Sequence, residues 1–310
     1  MKTKAKAMNE LYCLVDEKFI SEFDYPQRSF MKNVYYKHYC DFVKDIGCRK
    51  LTKKEFFTNM NRRRIRLYQL CCPYCGTIDI IPADTRLKLN MGHNYCYNCG
   101  RDSAVNVCLS HITSFIRLSR IINAGIYSKL KANKKEKEWL IAYEAYQMEL
   151  VSLVSIIEVI FRDFFEALLF INNINVDKNL YLYKSIRKMM GNEFMNLDKA
   201  NDQYKKAFNI DLKSLIEEDV WNDLIDLVNL RNVFVHNNGY IEKTFTNSAS
   251  YNRLKSKVHN NLYQLEWDDL VKYFGSVYVA TIVITEVYYK EYYRLRKITI
   301  ANHYFNAQKK

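Results

Sequence analysis

Residues 150–171 read LVSLVSIIEVIFRDFFEALLFI, and this apolar stretch decides the fold class of the chain. Its large apolar side chains recur at intervals of three or four residues: Leu150, Val154, Ile157, Phe161, Phe164, Phe165 and Leu168. Because that spacing places them on one face of a helix, it predicts a long core helix over residues 139–171. Glu158 and Arg162 lie four residues apart and form a helical charge pair within it.

The rest of the C-terminal half has almost no alternating apolar and polar segments. Ser214 and Glu217 have the spacing of a capping box, which predicts a helix from residue 214 to His236 or Asn237. Asn238-Gly239 is typical of a helix end. Helical spacing predicts further elements over residues 112–127, 178–192, 197–208 and 267–293. We therefore expect a mainly α chain in which residues 140–310 form an all-α bundle.

The first 66 residues predict a basic helical segment. Apolar spacing indicates helices over residues 11–22 and 30–45, and Gly47 ends the second. Thr52 and Glu55 form another capping-box pattern, which predicts a third helix to about Asn61. A basic run follows, in which arginines alternate with apolar residues, and this period of two predicts a strand with one cationic face.

This order of helix, turn, helix and basic strand fits a helix-turn-helix or winged-helix unit. Residues 35–66 resemble the winged helix attached to some viral primase–helicases. A plain helical segment that leads into the next module fits the same pattern.

The charge of the chain is concentrated in its first part. Residues 1–139 hold 26 Lys and Arg and 13 Asp and Glu, while residues 140–310 hold 21 of each, so the net charge of +13 lies entirely before residue 140. Such a field attracts polyanions, above all nucleic acid, although a solvated basic face is the alternative. We predict a nucleic acid as the partner, RNA or DNA, bound by the arginines of the basic run: Arg62, Arg63, Arg64 and Arg66.

Two cysteine pairs predict a metal site. Cys72 and Cys75, then Cys96 and Cys99, form C-x2-C, twenty residues and C-x2-C, and a glycine follows each pair. Four thiolates satisfy tetrahedral Zn²⁺ and leave no open position for catalysis, so the pattern predicts structural zinc rather than four core cysteines. Residues 67–110 resemble a zinc ribbon, because the spacer predicts a β-hairpin from its apolar residues: Ile78, Ile80, Ile81, Leu87 and Leu89.

Two of the four metal ligands have an alternative in the sequence. Cys71 could replace Cys72, and His93 could replace Cys96. The other cysteines have no partner spacing and are interpreted as buried small apolar residues without a function: Cys13, Cys40, Cys48 and Cys108.

Composition excludes several classes of protein. With 49% hydrophobic and 26% charged residues, the chain is neither disordered nor fibrous. The longest uncharged apolar runs are shorter than the roughly 18–20 residues of a membrane-spanning helix, so we predict no membrane span. No apolar signal segment follows the Lys-rich first residues, which predicts a cytoplasmic protein, where thiols serve metals more often than disulfides.

Residues 230–240 read LRNVFVHNNGY and hold the candidate chemistry. On a helix, Asn232 and His236 share a face, and the long side chain of Arg231 reaches the same arc. Taken alone, the two cations could simply complement the helix dipole, and Asn-Asn-Gly could simply cap the helix.

Arg231, a polar residue, three further residues and His236, at the end of one helix of an all-α bundle, resemble the R-x4–6-H motif of the HEPN superfamily (higher eukaryotes and prokaryotes nucleotide-binding). The spacing here is R-x4-H, and the helix of Glu158 and Arg162 is similar to the family's first helix. The resemblance covers roughly residues 140–300.

The resemblance implies a metal-independent endoribonuclease that acts as a homodimer and leaves 2′,3′-cyclic phosphate and 5′-hydroxyl ends. Arg231 would stabilise charge on the phosphate, and His236 would move protons. Asn232 would orient His236 or bind phosphate, and Asn237 would bind substrate. Active members often serve as toxins or in abortive infection against phage, which implies an antitoxin or a defence-system partner.

A rival function belongs to a different class. The chain could be a non-catalytic regulator that binds nucleic acid through its zinc ribbon and dimerises through its helical domain. Motifs for nucleotide hydrolysis, dinucleotide binding and α/β-hydrolase chemistry are absent from the sequence. The predicted division is a basic helical segment over 1–66, a zinc ribbon over 67–110, a linker helix over 111–139 and a HEPN-like domain over 140–310.

Overall fold

The computed structural model describes residues 10–82, 95–132, 138–172, 188, 194 and 196–307. The described residues divide into two compact units. The first contains the residues up to Asn106, those from Glu166 to residue 172 and those from Tyr288 onward, and the second contains the remainder. Most elements are helices, and the first unit also contains a small antiparallel sheet. The predicted mainly α class is therefore confirmed.

The first unit begins with a strand and three helices: β1 (Tyr12–Leu14), α1 (Glu17–Ser21), α2 (Tyr25–Asp45) and α3 (Lys53–Asn61). Thr52 and Glu55 form the predicted capping box at the start of α3, where the Glu55 backbone N–H donates to the Thr52 hydroxyl and the Glu55 carboxylate accepts from the Thr52 N–H. The prediction of one helix over residues 11–22 is wrong, because its first part pairs with a distant strand as β1.

The sheet has the order β1, β2, β3, with β2 at Leu67–Cys71 and β3 at Ile78–Pro82. Both pairs are antiparallel, and Leu70 lies opposite Tyr12 on one side and Asp79 on the other. Only the β3 part of the predicted spacer hairpin can be compared, and it pairs with β2. Residues 83–94 of the spacer lie outside the described residues, so the hairpin stays a prediction. Leu87 and Leu89 lie outside the described residues.

The prediction of a basic strand before Leu67 is wrong. Residues 62–65 form turns and bends, Arg66 has no regular structure, and Arg63 has a left-handed φ of 57°. The backbone N–H groups of Arg62, Arg63 and Arg64 donate to carbonyl groups of the last turn of α3. Because these bonds satisfy the end of α3, the local cap overrides the alternating pattern.

The second unit is built on α4 (Ala104–Ala132) and α5 (Glu138–Glu158). A π-helix (Val159–Asp163) and α6 (Phe164–Asn172) continue α5, in agreement with the predicted core helix. From Glu166 onward, α6 belongs to the first unit. The wide π turn leaves the carbonyl oxygens of Ile160 and Phe161 available, and the buried Tyr204 hydroxyl donates to both, at 3.2 and 3.1 Å.

The remaining helices are α7 (Leu197–Phe208), α8 (Leu212–Leu215), α9 (Glu218–Asn237), α10 (Lys243–Thr246), α11 (Ala249–Leu254) and α12 (Trp267–Ala307). A turn of 3-10 helix and a two-stranded ribbon, β4 (Val258–His259) with β5 (Leu262–Tyr263), precede α12. The helix predicted from Ser214 is in fact two helices, because the buried Ile216 is extended and separates α8 from α9. The helix predicted over 178–192 lies outside the described residues, apart from Lys188.

By length and composition, helix α12 could cross a membrane. Among the described residues it is the one helix with this property. Of the most apolar 18-residue stretch of α12, 33% is buried. Core helices of soluble proteins reach the same length and hydropathy, so these properties of α12 are weak evidence for a membrane-spanning helix. The expected absence of a membrane span stays a prediction.

Candidate metal centre and candidate active site

The four cysteines of the two predicted pairs lie together in the first unit. Their sulfur atoms are all within 4.8 Å of one another. The Sγ atoms of Cys72 and Cys99 are 3.8 Å apart, and those of Cys75 and Cys96 are 3.7 Å apart. Zinc–sulfur bonds of about 2.3 Å at tetrahedral angles give sulfur–sulfur distances of about 3.8 Å, so the cluster fits a tetrahedral metal ion.

Both pairs are held by the same backbone turn. The N–H of Gly76 donates to the Cys72 carbonyl at 3.0 Å, and the N–H of Gly100 donates to the Cys96 carbonyl at 2.8 Å. Each glycine has a left-handed φ, 78° and 70°. The residue after each glycine then accepts from the first cysteine of its pair, through Thr77 at 2.9 Å and Arg101 at 2.8 Å. Two short sequence repeats therefore fold into two matching turns.

The cluster is packed against the sheet. Cys72 and Cys96 are fully buried beside Leu11 and Leu70, whereas Cys99 is exposed. The Arg101 guanidinium lies 4.5 Å from the centre of the Tyr74 ring and pairs with Glu166 at 3.2 Å, which links the two turns. These contacts hold the two cysteine turns next to each other.

The thiol acidities differ because the surroundings differ. Burial raises the pKa of Cys72. Partial burial also raises the pKa of Cys75, but hydrogen bonds involving Thr77 and Asn98 outweigh it and lower the pKa to about 6. The Cys75 thiol therefore loses its proton more readily than the buried Cys72 thiol.

The alternative ligands are placed differently. Cys71 is a buried residue of β2 and lies outside the four-sulfur cluster, so Cys72 occupies the ligand position. His93 lies outside the described residues. Of the cysteines without partner spacing, Cys108 is buried and Cys13 and Cys40 are half-buried, whereas Cys48 is exposed and its interpretation as a buried residue is wrong.

The Arg–His segment occupies the last turns of α9 in the second unit. The helix ends at Asn237, as the sequence predicts. Asn238 adopts a left-handed φ of 50°, and its N–H donates to the Phe234 carbonyl at 3.0 Å. This cap satisfies the end of the helix without a side chain, so the polar residues of the last turn remain available for other contacts.

The chain beyond the cap is held by the β4–β5 ribbon. The Tyr263 N–H donates to the Gly239 carbonyl, and the Ile241 N–H donates to the Asn261 carbonyl, at 3.0 and 2.7 Å. Gly239 has φ 90°, and a Cβ there would overlap the Tyr143 hydroxyl and lie 2.9 Å from the Phe234 ring. The glycine thus allows the chain to leave α9 under Tyr143.

A polar cleft of about 530 Å³ lies beside this turn. Its walls contain all four predicted residues of the motif: Arg231, Asn232, His236 and Asn237. Asn232 and His236 are exposed, while Arg231 and Asn237 are half-buried. The Arg231 guanidinium donates to the Asn232 amide oxygen at 3.0 Å, so Asn232 positions Arg231.

Sequence reasoning missed the opposite wall of the cleft. Glu242, Thr244, Phe245 and Ser248 line it, and Asn229, two residues before Arg231, also contributes to the cleft. These residues come from the short α10 and its flanks, which carry no periodic pattern that could have indicated them. A carboxylate and two hydroxyls therefore face the predicted motif.

An ion pair to a buried carboxylate holds the helix behind the cleft. Asp226 is 1% exposed, and the Arg253 guanidinium donates to both of its oxygens, at 2.9 and 2.5 Å. Asn229 adds a hydrogen bond to the Ser250 hydroxyl at 2.8 Å. These bonds join α9 to α11, so the wall that carries Arg231 is supported by a second helix.

The predicted nucleic-acid residues lie in the first unit. Arg62, Arg63, Arg64 and Arg66 are all exposed, and none has an ion pair within the described part of the chain. Their charges are thus available to an anionic partner.

No family model, no curated protein and no solved structure matches this chain. The HEPN, zinc-ribbon and winged-helix resemblances therefore stay predictions from the sequence.

Proposed function

We propose that the protein is a metal-independent endoribonuclease of the HEPN type that leaves 2′,3′-cyclic phosphate and 5′-hydroxyl ends. The observation that supports this best is the single cleft of about 530 Å³ that Arg231, Asn232, His236 and Asn237 line together. Sequence spacing alone demands only that three of these residues share an arc of one helix.

The chemistry of such a cleft follows from its side chains. Arg231 can donate two parallel hydrogen bonds to phosphate oxygens and keeps its charge while the phosphorane forms. His236 can take the proton from the 2′-hydroxyl or give one to the leaving 5′-oxygen, because imidazole exchanges protons near neutral pH. Asn237 can bind a phosphate or a base edge, and Glu242 offers a second group for proton transfer.

The four-cysteine cluster would hold structural Zn²⁺ in a zinc-ribbon module. Bound zinc would supply folding energy, since four thiolates fill its coordination sphere. The exposed arginines at positions 62, 63, 64 and 66 would then bind RNA through its phosphates, in a protomer that acts as part of a homodimer. A cytoplasmic toxin or an anti-phage effector, restrained by an antitoxin or a defence-system partner, is the role that this activity suits.

The test is cleavage of total cellular RNA and of a tRNA pool without added divalent metal. Wild type is compared with Arg231→Ala and His236→Ala, and Asn238→Ala serves as a control that changes the same turn outside the cleft wall. We expect each cleft variant to lose at least about a hundredfold in rate, as the loss of a general acid or base does. Products of the wild type should carry cyclic phosphates.

The exposed arginines also favour the rival function, a nucleic-acid-binding regulator. The regulator would bind nucleic acid as tightly after His236→Ala and would never cleave it. Inert wild-type and variant proteins with equal affinity for RNA would therefore make the regulator the better account. Replacing the four arginines with glutamate should weaken binding in either case, so cleavage decides between the two.

A further inference from the structure

A second site lies in the second unit, at the start of α12. A groove of about 220 Å³ runs between α4, α5 and α12, with apolar walls from Phe115, Trp267, Val271 and Phe274. The rings of Phe115 and Phe274 stack with centroids 5.1 Å apart. Nothing in the proposed ribonuclease chemistry uses this groove.

Glu149 lines the groove and is fully buried, with 0% of its surface exposed. Neither carboxylate oxygen has a hydrogen-bond partner, and no ion pair to it is found among the described residues. Burial raises the pKa of Glu149, and the nearby Ser119 hydroxyl opposes that rise. Because a buried carboxyl group without a hydrogen bond of good geometry is costly, Glu149 would gain from a donor that enters the open groove beside it.

The size of the groove limits what can enter it. Sites for small-molecule ligands usually measure about 300–1,000 Å³, which is larger than this groove. Its volume is closer to that of one large side chain. A long basic side chain fits the volume of the groove and supplies a hydrogen-bond donor for Glu149. Its apolar stem can contact the aromatic walls while its charged end reaches Glu149.

The surface next to the groove is apolar as well. Trp267, Val271, Tyr278 and Ile282 follow one face of α12, and 38–52% of each side chain is exposed. Gly275 lies on the same face, with open space where a Cβ would be. Single exposed apolar residues are ordinary, but four on one helical face are typical of an interaction surface.

We propose that Glu149 and the groove around it form the docking pocket for one arginine or lysine of a partner protein, presented by an amphipathic helix that lies along the exposed apolar face of α12. The buried carboxylate supplies the charge complementarity, and the apolar face supplies the contact area. This surface is independent of the ribonuclease cleft.

The probe is a 16-residue amphipathic peptide with one arginine in the middle of its apolar face. The matched control peptide carries citrulline, a neutral side chain of the same shape, in place of the arginine. Anisotropy of the labelled peptides is measured with the full-length wild-type protein, with Glu149→Gln, and with Glu286→Gln, which changes an exposed carboxylate of α12 outside the groove.

We expect wild type and Glu286→Gln to bind the arginine peptide at least tenfold more tightly than the citrulline peptide, because hydrogen bonds to charged groups discriminate by this order. Glu149→Gln should remove the discrimination without lowering the melting temperature, since it removes a buried acid. Equal binding of both peptides to wild type, or no binding of either, would overturn the proposal.

Two further measurements identify the competing occupants. The Arg120 side chain also lines the groove, and a melting temperature that falls by several degrees in Arg120→Ala but not in Glu149→Gln/Arg120→Ala would show that the chain fills the pocket itself. A dimer that dissociates in Val271→Asp/Ile282→Asp would show that a second copy covers the face. Either result would overturn the proposal of a partner protein.

Discussion

In the cysteine cluster the partner sulfur atoms lie 3.7–3.8 Å apart and two turns repeat the same hydrogen bonds, whereas in the cleft Arg231 and His236 share a wall without bonding to each other. Two of the four cysteines, Cys72 and Cys96, are buried against the sheet. The cleft is open, and two of its four motif residues are exposed. The chain alone thus brings together four thiols that fit a metal ion, while the proposed ribonuclease cleft would be completed by its substrate.

The contrast between the cysteine cluster and the cleft would fail if the first unit folded without the cluster. Replacing the two buried cysteines, in Cys72→Ser/Cys96→Ser, should abolish zinc binding and unfold the first unit, because structural zinc contributes roughly 10 kcal/mol or more to small modules. Zinc per chain from elemental analysis and the thermal melt check this. Cys48→Ser is the control, since Cys48 is an exposed cysteine outside the cluster. One zinc per chain and an unchanged melt in the double variant would contradict the assignment.

Glu10 is a fully buried acid in the unit that contains the cysteine cluster, and it makes the stability of that unit depend on pH. Its carboxylate accepts from the Ala104 N–H at the start of α4, at 2.5 Å, and burial raises its pKa to about 7. Between pH 4.5 and 7 the unfolded chain binds fewer protons than the folded one, so stability falls by about 3 kcal/mol as pH rises.

Glu10→Gln keeps an acceptor for Ala104 and cannot ionise. Its free energy of unfolding, measured by urea denaturation from pH 4 to pH 8, should lose this dependence and exceed that of wild type at pH 7.5. Identical pH profiles for the two proteins would show that Glu10 is ionised in the folded state.

A smaller effect is expected where the chain leaves the cleft helix. Gly239→Ala places a Cβ against the Tyr143 hydroxyl at a left-handed φ, which should cost about 2 kcal/mol or more. Gly275→Ala is the matched control, because that glycine lies inside α12 with open space around it and alanine should stabilise the helix by up to about 1 kcal/mol. Chemical denaturation measures both, and equal effects of the two variants would refute the close approach at Gly239.

Short-range patterns predicted structure well in this chain. The capping box at Thr52, the end of α9 at Asn237 and the turn of each cysteine pair all depend on residues within one turn or two of each other. Local hydrogen bonds and local geometry decide such features, so the sequence contains enough to predict them.

Features that depend on distant residues were missed or predicted wrongly. Tyr12 joins a sheet only because Leu70 lies opposite it, and no local pattern shows that pairing. The break between α8 and α9 depends on burial of Ile216. Glu242 and Ser248 reach the cleft through the packing of short helices around α9. Register, burial and cleft walls are set by tertiary contacts, which one sequence does not display.

The central claim is that the 2′-hydroxyl of RNA is the nucleophile in the cleft of Arg231 and His236. It is tested most directly by single-turnover cleavage of an RNA oligonucleotide and of the same oligonucleotide with one 2′-deoxy substitution at the cleaved position, without added divalent metal. The account predicts that the all-ribose strand is cut to a 2′,3′-cyclic phosphate and that the substituted strand stays intact at that position. Cleavage of both strands at the same rate would contradict it.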